Sequence, residues 1–181
     1  MTRSYEISLF ILQKVSCALS ATGSLMIISQ VSRSKFNRSK PQQRLLLGLS
    51  VSDFILSIIW ILTPLFMPSE SGAVWAVGNQ TTCNVQGFIV TLFNASAILY
   101  MCALQLQYLL TIRYGWTEGK VRRKVEPYMH GIPWCLGLSA AITQLALKLF
   151  NPADWDCWIA PYPADCTSSH EGKFRISYLS L

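Results

Sequence analysis

The longest uncharged stretch of the chain runs from Cys83 to Arg113, and it constrains the fold most strongly. Between these two residues the sequence contains no Asp, Glu, Lys, Arg or His. At about 1.5 Å of rise per residue, a helix of this length can cross a hydrocarbon layer about 30 Å thick. Asn94 and Gln105 lie within roughly 20° of each other around such a helix. Polar side chains at membrane depth face protein or water, so this membrane helix is expected to have neighbours.

The composition excludes an ordinary soluble domain. Hydrophobic residues make up 51% of the 181 residues and charged residues only 13%, whereas about a quarter of the residues in a typical soluble domain are charged. The net charge of +6 comes from basic residues in short loops between apolar runs, so a nucleic-acid partner is not expected. No metal-binding spacing, phosphate loop or nucleophile motif occurs, so neither an enzyme nor a cofactor is expected.

Four apolar segments are expected to span the membrane, which makes the expected fold an all-α membrane protein. They cover about 7–31, 45–67, 84–112 and 127–147. After them come a polar loop at 148–175 and an apolar beginning at 176–181.

The charges of the loops indicate an orientation. Residues 32–44 carry five basic residues and no acid, and residues 113–126 also carry five basic residues, against two acids. Short basic loops stay on the cytoplasmic side, which places the amino terminus and the 148–175 loop outside. Each basic side chain near an anionic leaflet contributes about 1 kcal/mol, so these loops are expected to contact membrane lipid.

The outside loops hold the polar cysteines and a glycosylation pattern. Cys83, Cys157 and Cys166 fall in the oxidising compartment, so a disulfide from Cys83 to either Cys157 or Cys166 is expected. The Asn79-Gln80-Thr81 triplet fits the N-glycosylation pattern, and it lies on the side where that modification occurs.

Asp53 is the only charged residue of the second span. An acid at membrane depth is costly and needs a partner, water or a proton. Two interpretations stay open: a buried polar switch or ion site, and a structural hydrogen-bond acceptor between helices.

Six short motifs follow one another along the chain: Gly23-Ser24 in the first span, 49–53 (LSVSD) in the second, Trp75 with Gly78 in the first outer loop, Cys83 opening the third span, Trp134 in the fourth and Cys157 in the last loop. In their order and placement they resemble the motifs of the first half of a seven-helix G-protein-coupled receptor. The phrases at 78–88 (GNQTTCNVQGF), 112–116 (IRYGW) and 157–161 (CWIAP) resemble the cyclic-AMP-receptor-like and secretin-like branch of protists and algae.

The resemblance implies a receptor in which an unknown extracellular ligand shifts a helix bundle between two states that a heterotrimeric G protein distinguishes. It implies a Cys83–Cys157 bridge and a switching polar network of Asp53, Asn94 and Ser24. The side chains implied to contact the transducer or lipid are Arg113, Tyr114, Arg122, Arg123 and Lys124. The Asp/Glu-Arg-Tyr motif of rhodopsin-like receptors is absent; 107–109 (QYL) stands near its place.

The chain stops where a fifth helix would begin, so the expected bundle is a receptor truncated after four of seven helices. The expected location is the plasma membrane. Two alternatives remain: a four-span membrane scaffold, and a homo- or heterodimerising modulator of a full-length receptor that does not signal itself. The basic 32–44 loop lacks the cysteines typical of scaffold loops.

Overall fold

The computed structural model describes residues 3–71, 75–153 and 156–160, and this part of the chain is mostly helical. Helices α1 to α7 cover Arg3–Arg33, Lys35–Ser39, Pro41–Ile61, Thr63–Phe66, Gln80–Tyr108, Glu118–Lys124 and Glu126–Ala146. Strands β1 and β2 cover Phe150–Pro152 and Cys157–Ile159. A 3-10 turn at Ser69–Ser71 and a π-helical turn at Leu109–Arg113 complete the described elements.

The four long helices pack in chain order, with α1 against α3, α3 against α5, and α5 against α7. In the most apolar stretch of each helix, 44% of the residues are buried for α5, compared with 22% for α3 and 11% for α1. Helix α5 therefore lies between its neighbours, and α1 lies at the edge of the bundle.

Three helical segments of the described chain are long and apolar enough to cross a membrane: Ile7–Arg33, Pro41–Ile61 and Gln80–Arg113. They correspond to the spans expected at 7–31, 45–67 and 84–112. Helix α7 coincides with the expected fourth span and has 21 residues. It is not among the three, because polar residues such as His130 and Gln144 lower its mean hydropathy.

The second span was expected over 45–67 with a kink at Pro64, and the structure divides it into two helices just before that residue. Helix α3 begins at Pro41, which occupies the first turn because no backbone N–H is needed there. It ends at Ile61, and α4 follows. Pro64 has no N–H to donate to the Trp60 carbonyl. That carbonyl instead accepts hydrogen bonds from the Thr63 hydroxyl at 2.9 Å and from the Lys14 ammonium of α1.

The expected polar loop at 148–175 starts with a hairpin. Lys148 has a left-handed backbone with φ of 52°, and the Leu149 N–H bonds back to the Gln144 carbonyl at 3.0 Å. The chain then turns into β1, which pairs antiparallel with β2. The rest of that loop after residue 160, and the expected fifth-helix start at 176–181, lie outside the described residues.

Candidate functional site

The hairpin, formed by β1 and β2, is fastened to the start of α5 by a disulfide. Cys83 pairs with Cys157, and their Cα atoms are 5.2 Å apart. Met67 and Ala76 pack against this bridge. The sequence left two partners open for Cys83, and in the structure Cys83 is bonded to Cys157. Cys166 lies outside the described residues.

Two further contacts hold the hairpin on α5. The Gln80 side-chain amide donates to the Phe150 carbonyl at 2.9 Å. The Phe150 ring lies directly on Gly87, where any Cβ would overlap the ring. Phe150 is 1% exposed, so the ring has little room to move aside. The disulfide, the amide and the glycine together fix the hairpin over the first turns of α5.

The Trp75 and Gly78 turn lies at the same end of the bundle, which we call the hairpin end. The Gly78 N–H donates to the Met67 carbonyl at 2.7 Å. A Cβ on Gly78 would come within 2.6 Å of the Phe66 carbonyl oxygen, so only glycine fits. Trp75 is exposed, has φ of 59°, and meets the Phe10 ring of α1 edge-on at 5.5 Å.

Asn79 caps α5. Its side-chain oxygen accepts from the Thr82 N–H at 2.9 Å, and the Thr82 hydroxyl accepts from the Asn79 N–H at 2.8 Å. Asn79 and Thr81 are exposed. Because the cap uses the amide oxygen, the amide nitrogen that would carry a glycan takes no part in it, and glycosylation of Asn79 stays a prediction.

The structure does not join the three residues expected to form a polar network. Ser24 is buried on α1, Asp53 is half-buried on α3, and Asn94 is exposed on α5. Among the described residues, none of these side chains hydrogen-bonds to another. Because Asn94 is exposed, it is not packed against the helices that carry the other two side chains.

A different polar network joins α3, α5 and α7, and we call it the Glu126 cluster: Arg44, Tyr100, Glu126, His130 and Trp134. The Arg44 guanidinium forms an ion pair with the Glu126 carboxylate at 2.6 Å, and His130 Nε2 lies 3.7 Å from the same carboxylate. The other ring nitrogen of His130 lies 3.2 Å from the Tyr100 hydroxyl. Trp134 Nε1 donates to that hydroxyl at 3.0 Å.

The helices position this cluster through spacing and close approach. Glu126, His130 and Trp134 are four residues apart along α7, so they share one face. The ring of Tyr100 reaches α3 at Gly48, where a Cβ would lie 2.7 Å from the ring. Glu126 is 6% exposed, and its carboxylate is paired with the Arg44 guanidinium. Removing one member of a buried ion pair is costly, which makes the cluster a specific connection between three helices.

Sequence reasoning missed the Glu126 cluster. Arg44 and Glu126 were both counted as loop charges, although each lies within the first turn of a helix. The available signal was the spacing of Glu126, His130 and Trp134 along one apolar segment. Trp134, expected only as a family motif, is a hydrogen-bond donor in the cluster.

The opposite end of the bundle, which we call the basic end, carries the residues expected to contact a transducer or lipid. All of them are exposed: Arg113, Tyr114, Arg122, Arg123 and Lys124. The last three form the final turn of α6, which is anchored by the buried Val121. Lys120 lies 4.1 Å from the centre of the Trp116 ring. The structure therefore presents cations next to aromatic rings at this end.

The chain matches no protein-family model, and no curated protein matches it. In the part of the chain that the structure describes, no group of His, Cys, Asp and Glu side chains is arranged to hold a metal ion.

Proposed function

We propose that this chain is a membrane receptor that couples an extracellular ligand to a heterotrimeric G protein. One observation carries the proposal: α5 bears the disulfide-held hairpin at one end and the Tyr100 hydroxyl of the Glu126 cluster deeper in the bundle. Seventeen residues separate Cys83 from Tyr100, which is about 25 Å along a helix. A ligand that displaces the hairpin would thus act on the same rigid helix that the cluster holds.

The proposed signal is a change in the Glu126 cluster. Its ion pair and hydrogen bonds each join one specific donor to one specific acceptor, unlike apolar packing. The proposed closed arrangement keeps these bonds, and the proposed open arrangement breaks them. A ligand that binds the open arrangement more tightly would shift the population toward it. Opening would free the start of α7 from α3, and the α6 cations next to it would move relative to the other helices.

The proposed orientation follows the charges. The basic end faces the cytoplasm and the hairpin end faces outward, with the amino terminus outside and four helices, including α7, crossing the plasma membrane. In this orientation the exposed cations of α6 contact anionic lipid as well as the transducer.

The first experiment tests the orientation through glycosylation. Expression in cells should give a protein that loses mass on treatment with an N-glycosidase. Thr81→Ala should abolish this loss, because it destroys the sequon while Asn79 and Thr82 keep the helix cap. An unglycosylated protein whose hairpin end is labelled only after the membrane is opened would contradict the orientation.

The second experiment tests coupling. Membranes containing the chain and heterotrimeric G proteins are assayed for guanine-nucleotide exchange. Glu126→Gln should raise basal exchange several-fold, because the Arg44 contact loses its charge and the open arrangement gains population. Glu70→Gln is the matched control, since it removes the same charge from an exposed site at the hairpin end, away from the proposed transducer contact. If no variant raises exchange above that of membranes without the chain, the receptor function is wrong.

A further inference from the structure

His130 lies between the two contacts that tie its end of α7 to the neighbouring helices. Its Nδ1 lies 3.2 Å from the Tyr100 hydroxyl of α5. Its Nε2 lies 3.7 Å from the Glu126 carboxylate, which holds the Arg44 guanidinium of α3 at 2.6 Å. Histidine is the side chain whose charge changes between about pH 5 and 8. The His130 side chain is 34% exposed, so protons can reach the ring, and a proton bound there acts on both contacts.

The hydrogen bonds of the cluster fit a neutral His130 ring. Trp134 Nε1 can only donate, so the Tyr100 oxygen accepts this bond at 3.0 Å. Tyr100 is 2% exposed, and among the described residues His130 Nδ1 is the acceptor within reach of its hydroxyl proton. Nδ1 therefore carries a lone pair, and the ring proton is on Nε2, which faces Glu126.

A second proton on the ring changes the contact with α5. It binds Nδ1 and turns this nitrogen from an acceptor into a donor. The Tyr100 hydroxyl then faces an N–H group and its own proton loses its acceptor, which is costly for a buried group. The Trp134 bond needs only the Tyr100 oxygen, so it can persist. One of the two hydrogen bonds that join Tyr100 to α7 is thereby lost.

The second proton also changes the balance of charge around Glu126. Among the described residues, the charges that act on the His130 ring are those of Glu126 and Arg44. These two cancel while the ring is neutral, and a charged ring leaves one net positive charge. His130 follows Glu126 by four residues on the same helix, so it stays beside the carboxylate. Arg44 has a long side chain that is 31% exposed, so it is the cation that can leave for water or lipid headgroups.

We propose that a proton on His130 opens the Glu126 cluster, so that acidification at the basic end shifts the bundle toward its open arrangement. The charged ring neutralises Glu126 from within α7, and the ion pair with α3 is no longer needed. The proton thus acts as a ligand that binds one of two arrangements more tightly. The switch rests on the geometry of the cluster, and only its effect on nucleotide exchange rests on the proposed function.

The first test measures the contact between α3 and α7. Thermal unfolding in detergent of the unsubstituted protein, Arg44→Gln, Glu126→Gln and the double variant gives the coupling between the two side chains. We expect this coupling to be worth a factor of roughly 10 in the unfolding equilibrium constant at pH 8. At pH 5.5 it should fall below a factor of about 3. In a His130→Gln background the coupling should be equal at both pH values, because glutamine stays neutral.

His170→Gln is the matched control, since it removes the other of the two histidines in the chain. It should keep the loss of coupling at pH 5.5. In this variant the histidine NMR signal belongs to His130 alone, so it reports directly whether the ring takes up a proton between pH 8 and pH 5.5. The Trp134 indole N–H signal, assigned by comparison with Trp134→Phe, should move over the same pH range.

The second test measures guanine-nucleotide exchange in membranes at pH 7.5 and pH 6. Basal exchange should rise roughly 3- to 10-fold on acidification relative to His130→Gln membranes, because the proton shifts the population of the open arrangement. The comparison with His130→Gln removes the pH dependence of the G protein itself.

A His130 ring that stays neutral down to pH 5.5 would overturn the proposal. So would a coupling between Arg44 and Glu126 that is equal at both pH values, or that falls equally in His130→Gln. Exchange that depends on pH to the same extent in His130→Gln would overturn the switch and leave the receptor function intact. If the coupling falls as expected but no exchange above that of membranes without the chain occurs at either pH, the switch stands and the receptor function is wrong.

Discussion

Asp156, which precedes the disulfide-bonded Cys157, makes the hairpin end sensitive to pH. Its burial raises the pKa of the carboxyl group from 3.8 to about 6. The folded protein therefore binds a proton at the Asp156 carboxyl group more tightly than the unfolded chain does. The resulting contribution to stability is complete below about pH 4 and is lost as the pH rises through about 6.

We therefore expect the melting temperature in detergent to fall between pH 4 and pH 7 by an amount that depends on Asp156. Asp156→Asn should remove this part of the pH dependence, because its amide stays neutral over the whole range. Glu70→Gln is the control, since Glu70 is exposed at the same end of the bundle. An identical pH profile for Asp156→Asn and the unsubstituted protein would contradict the effect of burial.

At the scale of elements, glycine decides how closely the hairpin approaches α5. Phe150 occupies the volume that a side chain at Gly87 would need. Gly23 on α1 has nothing within 4 Å of the place where its Cβ would lie. Both glycines lie in helices, so the same substitution at each changes helix propensity equally. Only at Gly87 does it also meet the Phe150 ring.

Gly87→Ala should destabilise the protein by about 1–3 kcal/mol, because the added methyl group overlaps a buried ring. Gly23→Ala should be neutral or stabilising by up to about 1 kcal/mol, because alanine favours a helix more than glycine does. Thermal unfolding of both variants in detergent measures the difference. Equal stability of the two variants would show that the hairpin does not rest on α5 as described.

At the scale of the whole molecule, the Cys83–Cys157 bridge closes the chain over a separation of 74 residues. A loop of this length corresponds to about 4 kcal/mol of stabilisation from lost freedom of the unfolded chain. The bridge spans α5, α6 and α7, so it restrains the part of the chain that contains most of the Glu126 cluster.

Replacing both Cys83 and Cys157 by serine should lower stability by about 2–5 kcal/mol, which corresponds to a fall of roughly 5–15 °C in melting temperature. Cys135→Ser is the control, because Cys135 is a free, exposed cysteine. A melting temperature that is unchanged in the double variant, or equally lowered in the control, would contradict a stabilising bridge.

The sequence by itself determined the long apolar helices, because hydropathy and proline positions act over a few residues of contiguous chain. The segments expected at 7–31 and 84–112 coincide with α1 and α5, although the break at Leu62 in the second segment was not expected as a division. The tertiary structure alone decided which polar groups meet. Arg44 and Glu126 are 82 residues apart, and their ion pair exists because α3 and α7 pack beside α5. Which face of α5 stays uncovered depends on the same packing, and no local pattern could reveal it.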